Sequence, residues 1–162
     1  NFFDFCSREF NMICSGAGAF ESLRLEKGYR SLGSDIHSNA NPYESGLGFT
    51  VKLKKDADFI GKEALLKIKE QPIQKKLACM ILDDPEGMAL GTEPIYSQGK
   101  NVGYVTSTNY GYFVDKHIVY GYLPKELSDY GTKLELEYFG KRYPLIVTNE
   151  PLLDPNNTRL KS

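Results

Sequence analysis

Residues Gly16–Phe49 read GAGAFESLRLEKGYRSLGSDIHSNANPYESGLGF, and the rest of the chain is organised around them. Glycines at 16, 18, 28, 33, 46 and 48 leave a backbone able to enter left-handed conformations or to approach a ligand closely. Between them Arg24, Glu26, Lys27, Arg30, Asp35 and Glu44 alternate with Leu23, Leu25, Tyr29, Leu32 and Tyr43. Read as extended chain, SLRLEKG turns Leu23 and Leu25 to one side and Arg24 and Glu26 to the other. A guanidinium and a carboxylate on one face suit a planar polar ligand or an anionic tail. A half-buried strand with a solvated outer face has the same pattern, and both readings stand at this level.

Upstream, NFFDFCSREFNMICS places Phe2, Phe3, Phe5 (or Cys6), Phe10, Ile13 and Cys14 in helical register. This predicts an amphipathic helix ended by Ser15-Gly16. It has no obvious N-cap, no initiator methionine and no leader pattern, so residue 1 is expected not to be a natural N-terminus. Downstream, Asn39-Ala40-Asn41-Pro42 predicts a loop that starts a single helical turn at Pro42-Tyr43-Glu44. Leu47–Leu53 alternates as a strand does. Asp58–Gly61 introduces a short helix with Ala64, Leu65 and Ile68 as its apolar stripe, and Gln71-Pro72 stops it.

From Lys76 the pattern changes to short strands. Leu77–Leu82 is apolar, Ile95–Ser97 and Asn101–Ser107 flank a turn at Gln98-Gly99-Lys100, and His117–Leu123 is a further strand. Lys133–Phe139 and Arg142–Asn149 flank Gly140-Lys141 as a second hairpin. Even spacing of such strands argues for a small antiparallel barrel or sandwich. The expected fold is therefore α+β over residues 1–75, followed by a small antiparallel β-barrel with an irregular tail over residues 76–162.

The 162 residues suffice for a buried core, and 41% hydrophobic with 25% charged residues is the balance of a globular protein. Lys+Arg 20 against Asp+Glu 21 leaves no basic footprint for nucleic acid, and the lysines at 52–55 and 75–76 read as solvated faces. No apolar run reaches the roughly 18 residues of a membrane span. Cys6, Cys14 and Cys79 are odd in number and lack a CxxC pair, which reads as idle thiols in a reduced compartment. His37 and His117 have no metal-ligand spacing. There is no nucleophile elbow or P-loop, and Gly16 and Gly18 follow a helix, the wrong context for a dinucleotide loop.

SLRLEKGYRSLGSDI, then NPYESGLGFTVKL, then DFIGKEALLKIK resembles the folate-dependent aminomethyltransferase family, the glycine cleavage T-protein and its relatives. LEKGYR, KLKKDADFIGKEAL and the ending EPLLDPNNTRLKS look closer to the C-terminal folate module of dimethylglycine and sarcosine dehydrogenases. The resemblance covers nearly the whole chain with its blocks in order. It implies a tetrahydrofolate-binding module that captures a one-carbon unit released by amine oxidation, in the cytoplasm or the mitochondrial matrix. Flavin (FAD) would belong to a dehydrogenase part outside this stretch.

By the same resemblance, Arg24 matches the folate-contacting arginine of the LRLE motif. Phe49 matches an aromatic that lines the folate site, though as phenylalanine it donates no hydrogen bond. The family's catalytic aspartate and its pterin-holding Tyr and Glu match nothing here, so no catalytic residue is assigned. The partner expected is the missing N-terminal portion of the same protein. Where the family's tail carries a tyrosine near the folate, this chain has Arg159. Glu26 and Glu44 are expected as structural partners of Arg24 or Arg30, and Asp35 as a turn or cap residue. Two other readings remain: a non-catalytic structural or regulatory module of the same architecture, and a folate-using RNA-modification factor, against which the near-zero net charge counts.

Overall fold

The computed structural model describes residues 1–161. From Lys75 the chain runs through β1 (Lys75–Leu82), β2 (Pro94–Ser97), β3 (Lys100–Gly111), β4 (Lys116–Pro124), β5 (Lys133–Tyr138) and β6 (Lys141–Thr148). All pairings are antiparallel, and the strands close into a barrel in the order β1-β4-β3-β2-β5-β6, β6 returning to β1. Both expected hairpins are present. Their loops are Gln98-Gly99 and Phe139-Gly140, each with both residues at positive φ (49° and 77°, 48° and 75°). That is the two-residue turn whose twist matches that of the flanking strands.

The barrel is filled by Ala78, Met80 and Leu82 of β1, Val119 and Leu123 of β4, Leu134 and Leu136 of β5, and Leu145 and Val147 of β6, with Ile95 and Val105. The outward face of β1 and β4 is buried too: Leu77, Cys79, Ile118, Tyr120 and Tyr122 pack with Leu25 and Leu152. Burial on both faces explains why Leu77–Leu82 and Ile118–Leu123 are almost continuously apolar, whereas Lys133–Tyr138 alternates and wets one face. Within β4, Gly121 sits where a Cβ would lie 2.6 Å from the Tyr104 carbonyl and 2.9 Å from Ile95 Cδ1. No side chain fits there without moving backbone.

The remaining elements are α1 (Phe2–Phe10), α2 (Ala17–Glu26), α3 (Lys62–Lys69) and α4 (Thr158–Lys161). Helix α1 ends earlier than expected, at the left-handed Asn11, and it does have a cap: Asn1 Oδ1 accepts from the Asp4 N–H at 2.9 Å. The extended reading of SLRLEKG is corrected, because these residues form α2. Ala17, Ala19, Glu21, Leu23 and Leu25 are good helix formers, and four alternating residues are too few to fix a period of two. Gly28, at φ 74°, ends the helix, with its N–H on the Leu25 carbonyl (3.1 Å) and the Tyr29 N–H on that of Arg24 (2.8 Å), a Schellman cap.

The strand expected over Leu47–Leu53 is absent. Gly48–Thr50 is a 3-10 turn instead, with the Thr50 N–H and hydroxyl both donating to the Leu47 carbonyl (3.0 and 2.7 Å); a local partner replaces the cross-strand one. The turn at Pro42 is present and capped by Asn41 Oδ1, which accepts from the N–H groups of Tyr43 and Glu44. Helix α3 follows Gly61 and ends before Pro72.

Candidate functional site

Helix α2 lies against the barrel wall and is tied to the β3–β4 loop. Ser22 Oγ donates to the Tyr110 carbonyl at 2.6 Å. Glu26 Oε1 accepts from the N–H groups of Phe113 (2.7 Å) and Val114 (3.2 Å), while its Oε2 has no protein partner. The signal for this in the sequence is faint: a carboxylate two residues before a helix-ending glycine.

Arg24 is almost fully buried. Its Nε donates to Glu21 Oε2 (2.5 Å), Nη1 to the Tyr29 carbonyl (3.0 Å) and to Asp35 Oδ2 (2.9 Å), and Nη2 to Ser107 Oγ (2.9 Å). Asp35 is the hub on the other side. Its Oδ2 also accepts from the Ser31 N–H (2.9 Å), Oδ1 from the Thr106 hydroxyl (2.5 Å), and its carbonyl from Tyr122 Oη (2.7 Å). Asp35 is therefore the turn-capping residue expected of it and also the counter-ion of Arg24. Glu26 and Glu44 are not the arginine partners expected of them. Glu26 binds the β3–β4 loop, Glu44 accepts from the Asn41 N–H, and Arg30 pairs with Glu150. The Thr106-Ser107 pair that completes the network lies in the VTST run of β3, where no local sequence signal marks it.

Two grooves flank α2, with Leu23 bordering both. One, of about 570 Å³, runs between α2 and the following loop and is lined by Phe20, Arg24, Lys27, Tyr29, Arg30 and Leu32. The other, of about 600 Å³, lies between Gly18, Ala19 and Ser22 of α2 and Asn109 of β3 with Tyr112 and Phe113 of the β3–β4 loop. The three cations of the first groove are matched internally: Arg24 by Glu21 and Asp35, Lys27 by Asp154 (3.2 Å), and Arg30 by Glu150. The groove thus presents apolar side chains over a neutralised polar floor. Phe49 stands exposed on the Gly48–Thr50 turn, outside the groove that Arg24 lines. Arg159 of α4 lies over the Phe113 ring, 4.8 Å from its centroid, at the edge of the second groove.

His37 Nε2 meets Tyr104 Oη at 3.2 Å, and His117 Nε2 meets Thr108 Oγ1 at 3.0 Å. Burial pushes His117 below its ordinary value. Among the described residues no group of three or more His, Cys, Asp or Glu is placed to hold a metal ion. Nor is any described helix long and apolar enough to cross a membrane.

The closed six-stranded barrel and the helices and loops before it each match a known family. Residues 75–154 match the glycine cleavage T-protein C-terminal barrel domain, and residues 6–55 match the GCVT N-terminal domain. The chain belongs to the glycine cleavage T-protein family of aminomethyltransferases, as the C-terminal part of that folate-related module. It is 40% identical over 148 residues to the mitochondrial dimethylglycine dehydrogenase of Rattus norvegicus, covering 90% of this chain and 17% of that protein. It is 38% identical over 137 residues to the aminomethyltransferase of Prochlorococcus marinus (strain NATL1A), covering 84% of this chain and 36% of that one. The aminomethyltransferase T of the glycine cleavage system from Bartonella henselae shares the fold with a TM-score of 0.86 at 24% identity, over 95% of this chain and 43% of the other. The chain thus spans about a sixth of the dehydrogenases it matches.

Proposed function

We propose that this chain forms one wall of a tetrahydrofolate-binding aminomethyltransferase module that captures a one-carbon unit from the oxidation of a small methylated or glycine-type amine as methylene-tetrahydrofolate. One observation carries the reading: largely the same stretch is shared with proteins named dimethylglycine dehydrogenase and with proteins named aminomethyltransferase. What two such enzymes have in common is the handling of the aminomethyl carbon, not the oxidation. In this reading FAD belongs to a dehydrogenase part outside these residues, and no flavin role is assigned to them.

The groove beside Arg24 fits tetrahydrofolate as a wall and not as a complete site. Phe20, Leu23, Tyr29 and Leu32 offer apolar contact to a flat ring, but the groove is open and its charges are already paired. Bound there, the folate would supply the nitrogen that accepts the one-carbon unit. Arg24 shapes the floor of that wall, and Phe49, on its separate turn, would contact the ligand from outside the groove. The chain's own part is to position ligand and exclude water; Asp35 and Glu26 are both committed to internal bonds, so neither is assigned as acid or base. The rest of the site comes from the remainder of the module, in the cytoplasm or, in a eukaryote, the mitochondrial matrix; the dehydrogenases it resembles are named as mitochondrial.

The test is calorimetric titration of the longest protein encoded with this chain, using 5-formyltetrahydrofolate as the stable probe. Binding that weakens on Leu32→Glu, with the melting temperature unchanged, supports the wall. An intact, folded protein that binds no folate would favour the non-catalytic module of the same architecture.

A further inference from the structure

We infer that the groove between α2 and the β3–β4 loop is a binding site for a small organic ammonium ion, held by the second carboxylate oxygen of Glu26. The site rests on the geometry of this groove and not on the wall beside Arg24, so it stands apart from the proposed folate binding. Glu26 lines the groove and is 0% exposed. Its Oε1 is taken up by the Phe113 and Val114 N–H groups (2.7 and 3.2 Å), and its Oε2 has no protein partner. None of the ion pairs among the described residues includes it. Its cationic neighbours along the chain, Arg24 and Lys27, are matched by Asp35 and Asp154. A buried carboxylate with one orphaned oxygen and no counter-ion carries a desolvation cost that a cation at Oε2 offsets.

The donor set selects the kind of cation. Hard metal ions take about six or more oxygen ligands, and no group of three or more His, Cys, Asp or Glu stands together among the described residues. An alkylammonium needs one strong acceptor and an apolar surround, and the groove supplies both. Leu23 and Ala19 offer contact to methyl groups, and Tyr112 and Phe113 bring aromatic rings to the wall, where a cation is attracted by a ring face. Arg159 already lies over the Phe113 ring, 4.8 Å from its centroid, which leaves Tyr112 as the ring for the ligand. The helix side is low: a Cβ added at Gly18 would meet nothing within 4 Å. Reaching the covered Oε2 takes a rotamer change in the wall, and Leu23 and Tyr112, 58% and 79% exposed, are lining side chains with the freedom to make one. The methylated amines of the proposed reaction belong to this ligand class.

The experiment titrates the full 162-residue chain, labelled with nitrogen-15, with dimethylammonium chloride at constant ionic strength and follows the amide signals of Phe113 and Val114. The expected result is saturable movement of both signals with a Kd of about 1–10 mM, the range open to so small a ligand. Glu26→Gln keeps an acceptor for both N–H groups but loses the charge, and should weaken binding by about tenfold or more. Gly18→Leu fills the groove and should weaken binding by a similar factor with the melting temperature retained, because leucine is the better helix former and meets open space there. No saturable movement with dimethylammonium overturns the site. Equal affinity in Glu26→Gln overturns the part given to the carboxylate, and equal affinity in Gly18→Leu overturns the groove. Shifts reproduced by sodium chloride, or matched by the neutral donor N-methylacetamide, overturn the choice of an ammonium ligand.

Discussion

The guanidinium of Arg24 and the carboxylate of Asp35 meet at 2.9 Å with only 7% and 1% of their side chains exposed. The pair joins helix α2 to the loop that follows it, and through Thr106 and Ser107 it joins both to the barrel. Removing one member of a buried pair leaves the other charge uncompensated, which costs more than the pair's net worth. Asp35→Ala should therefore lower stability by about 3–5 kcal/mol. Replacing both residues by apolar ones of similar size should cost less than the sum of the single changes. Urea unfolding of the two single variants and the double variant gives the coupling. A strictly additive cycle would show that the contact has no energetic meaning.

Arg24→Lys tests the same residue from the other side. Lysine keeps the charge but cannot span Glu21, Tyr29, Asp35 and Ser107 at once. Because the guanidinium is spent on those four partners, the melting temperature should fall while folate affinity of the intact module changes little. Loss of affinity at unchanged melting temperature would instead make Arg24 a direct ligand of the cofactor.

Glu26 offers a contrast between removal and neutralisation. Glu26→Ala strips the Phe113 and Val114 N–H groups of their acceptor and should cost about 2–3 kcal/mol. Glu26→Gln keeps an oxygen for both donors and removes a buried charge whose second oxygen has no partner, so it should cost less than half as much. Hydrogen exchange at Phe113 and Val114 is the local check: fast exchange in the alanine variant and near-native protection in the glutamine variant.

The barrel was legible because its signals are local. Gly99 and Gly140 mark their turns, although the second turn is Phe139-Gly140 and not the expected Gly140-Lys141, and alternation in Lys133–Tyr138 declares its faces. Leu77–Leu82 was legible as a strand, but its burial on both faces depends on Leu25 and Leu152, which no window around it contains. Helix α2 was misread because SLRLE alternates over too few residues to separate two periods. Arg24 was singled out by family resemblance, but Ser107 lies 83 positions away and Asp35 looked like a turn residue. Only the packed chain shows that the three form one network. The shared cause is distance along the chain: whatever rests on contacts between α2 and β3 was invisible, and whatever rests on a turn was not.

Gly121→Ala probes how tightly the barrel closes. The added methyl would be 2.6 Å from the Tyr104 carbonyl, a backbone atom held by the β3–β4 ladder. Overpacking of this kind costs about 1–3 kcal/mol, with circular dichroism unchanged in shape. A variant as stable as wild type would mean that β3 and β4 separate more readily than their register suggests.

The thiols should separate by burial. Burial pushes the Cys79 thiol up to about 12, and the side chain is covered on the barrel wall, whereas Cys14 is exposed. A thiolate-selective reagent at pH 8 should modify Cys14 quickly and Cys79 only on unfolding. Prompt labelling of Cys79 in native protein would show that the seam between α2 and the barrel opens.

Acid should weaken the fold in two separated steps, and the signs follow from two shifted groups. Burial holds native His117 below its ordinary 6.5, so the unfolded chain takes up this proton first. Its contribution is complete above pH 6.5 and is lost as pH falls from there toward the lowered native value. Asp154 is held down to about 2 from 3.8, chiefly by the Thr158 hydroxyl, with help from Lys27 and the Thr158 and Arg159 N–H groups. Its contribution is present above pH 3.8 and is lost as pH falls toward 2. The urea midpoint plotted against pH should therefore drop once below 6.5 and again below 4. His117→Gln should remove the upper step alone, and Asp154→Asn the lower. Because Asp154 ties Lys27 of the α2 cap to the start of α4, the lower step should coincide with release of the tail, read as faster proteolysis after residue 154. A single acid transition that neither variant alters would remove both groups from the account.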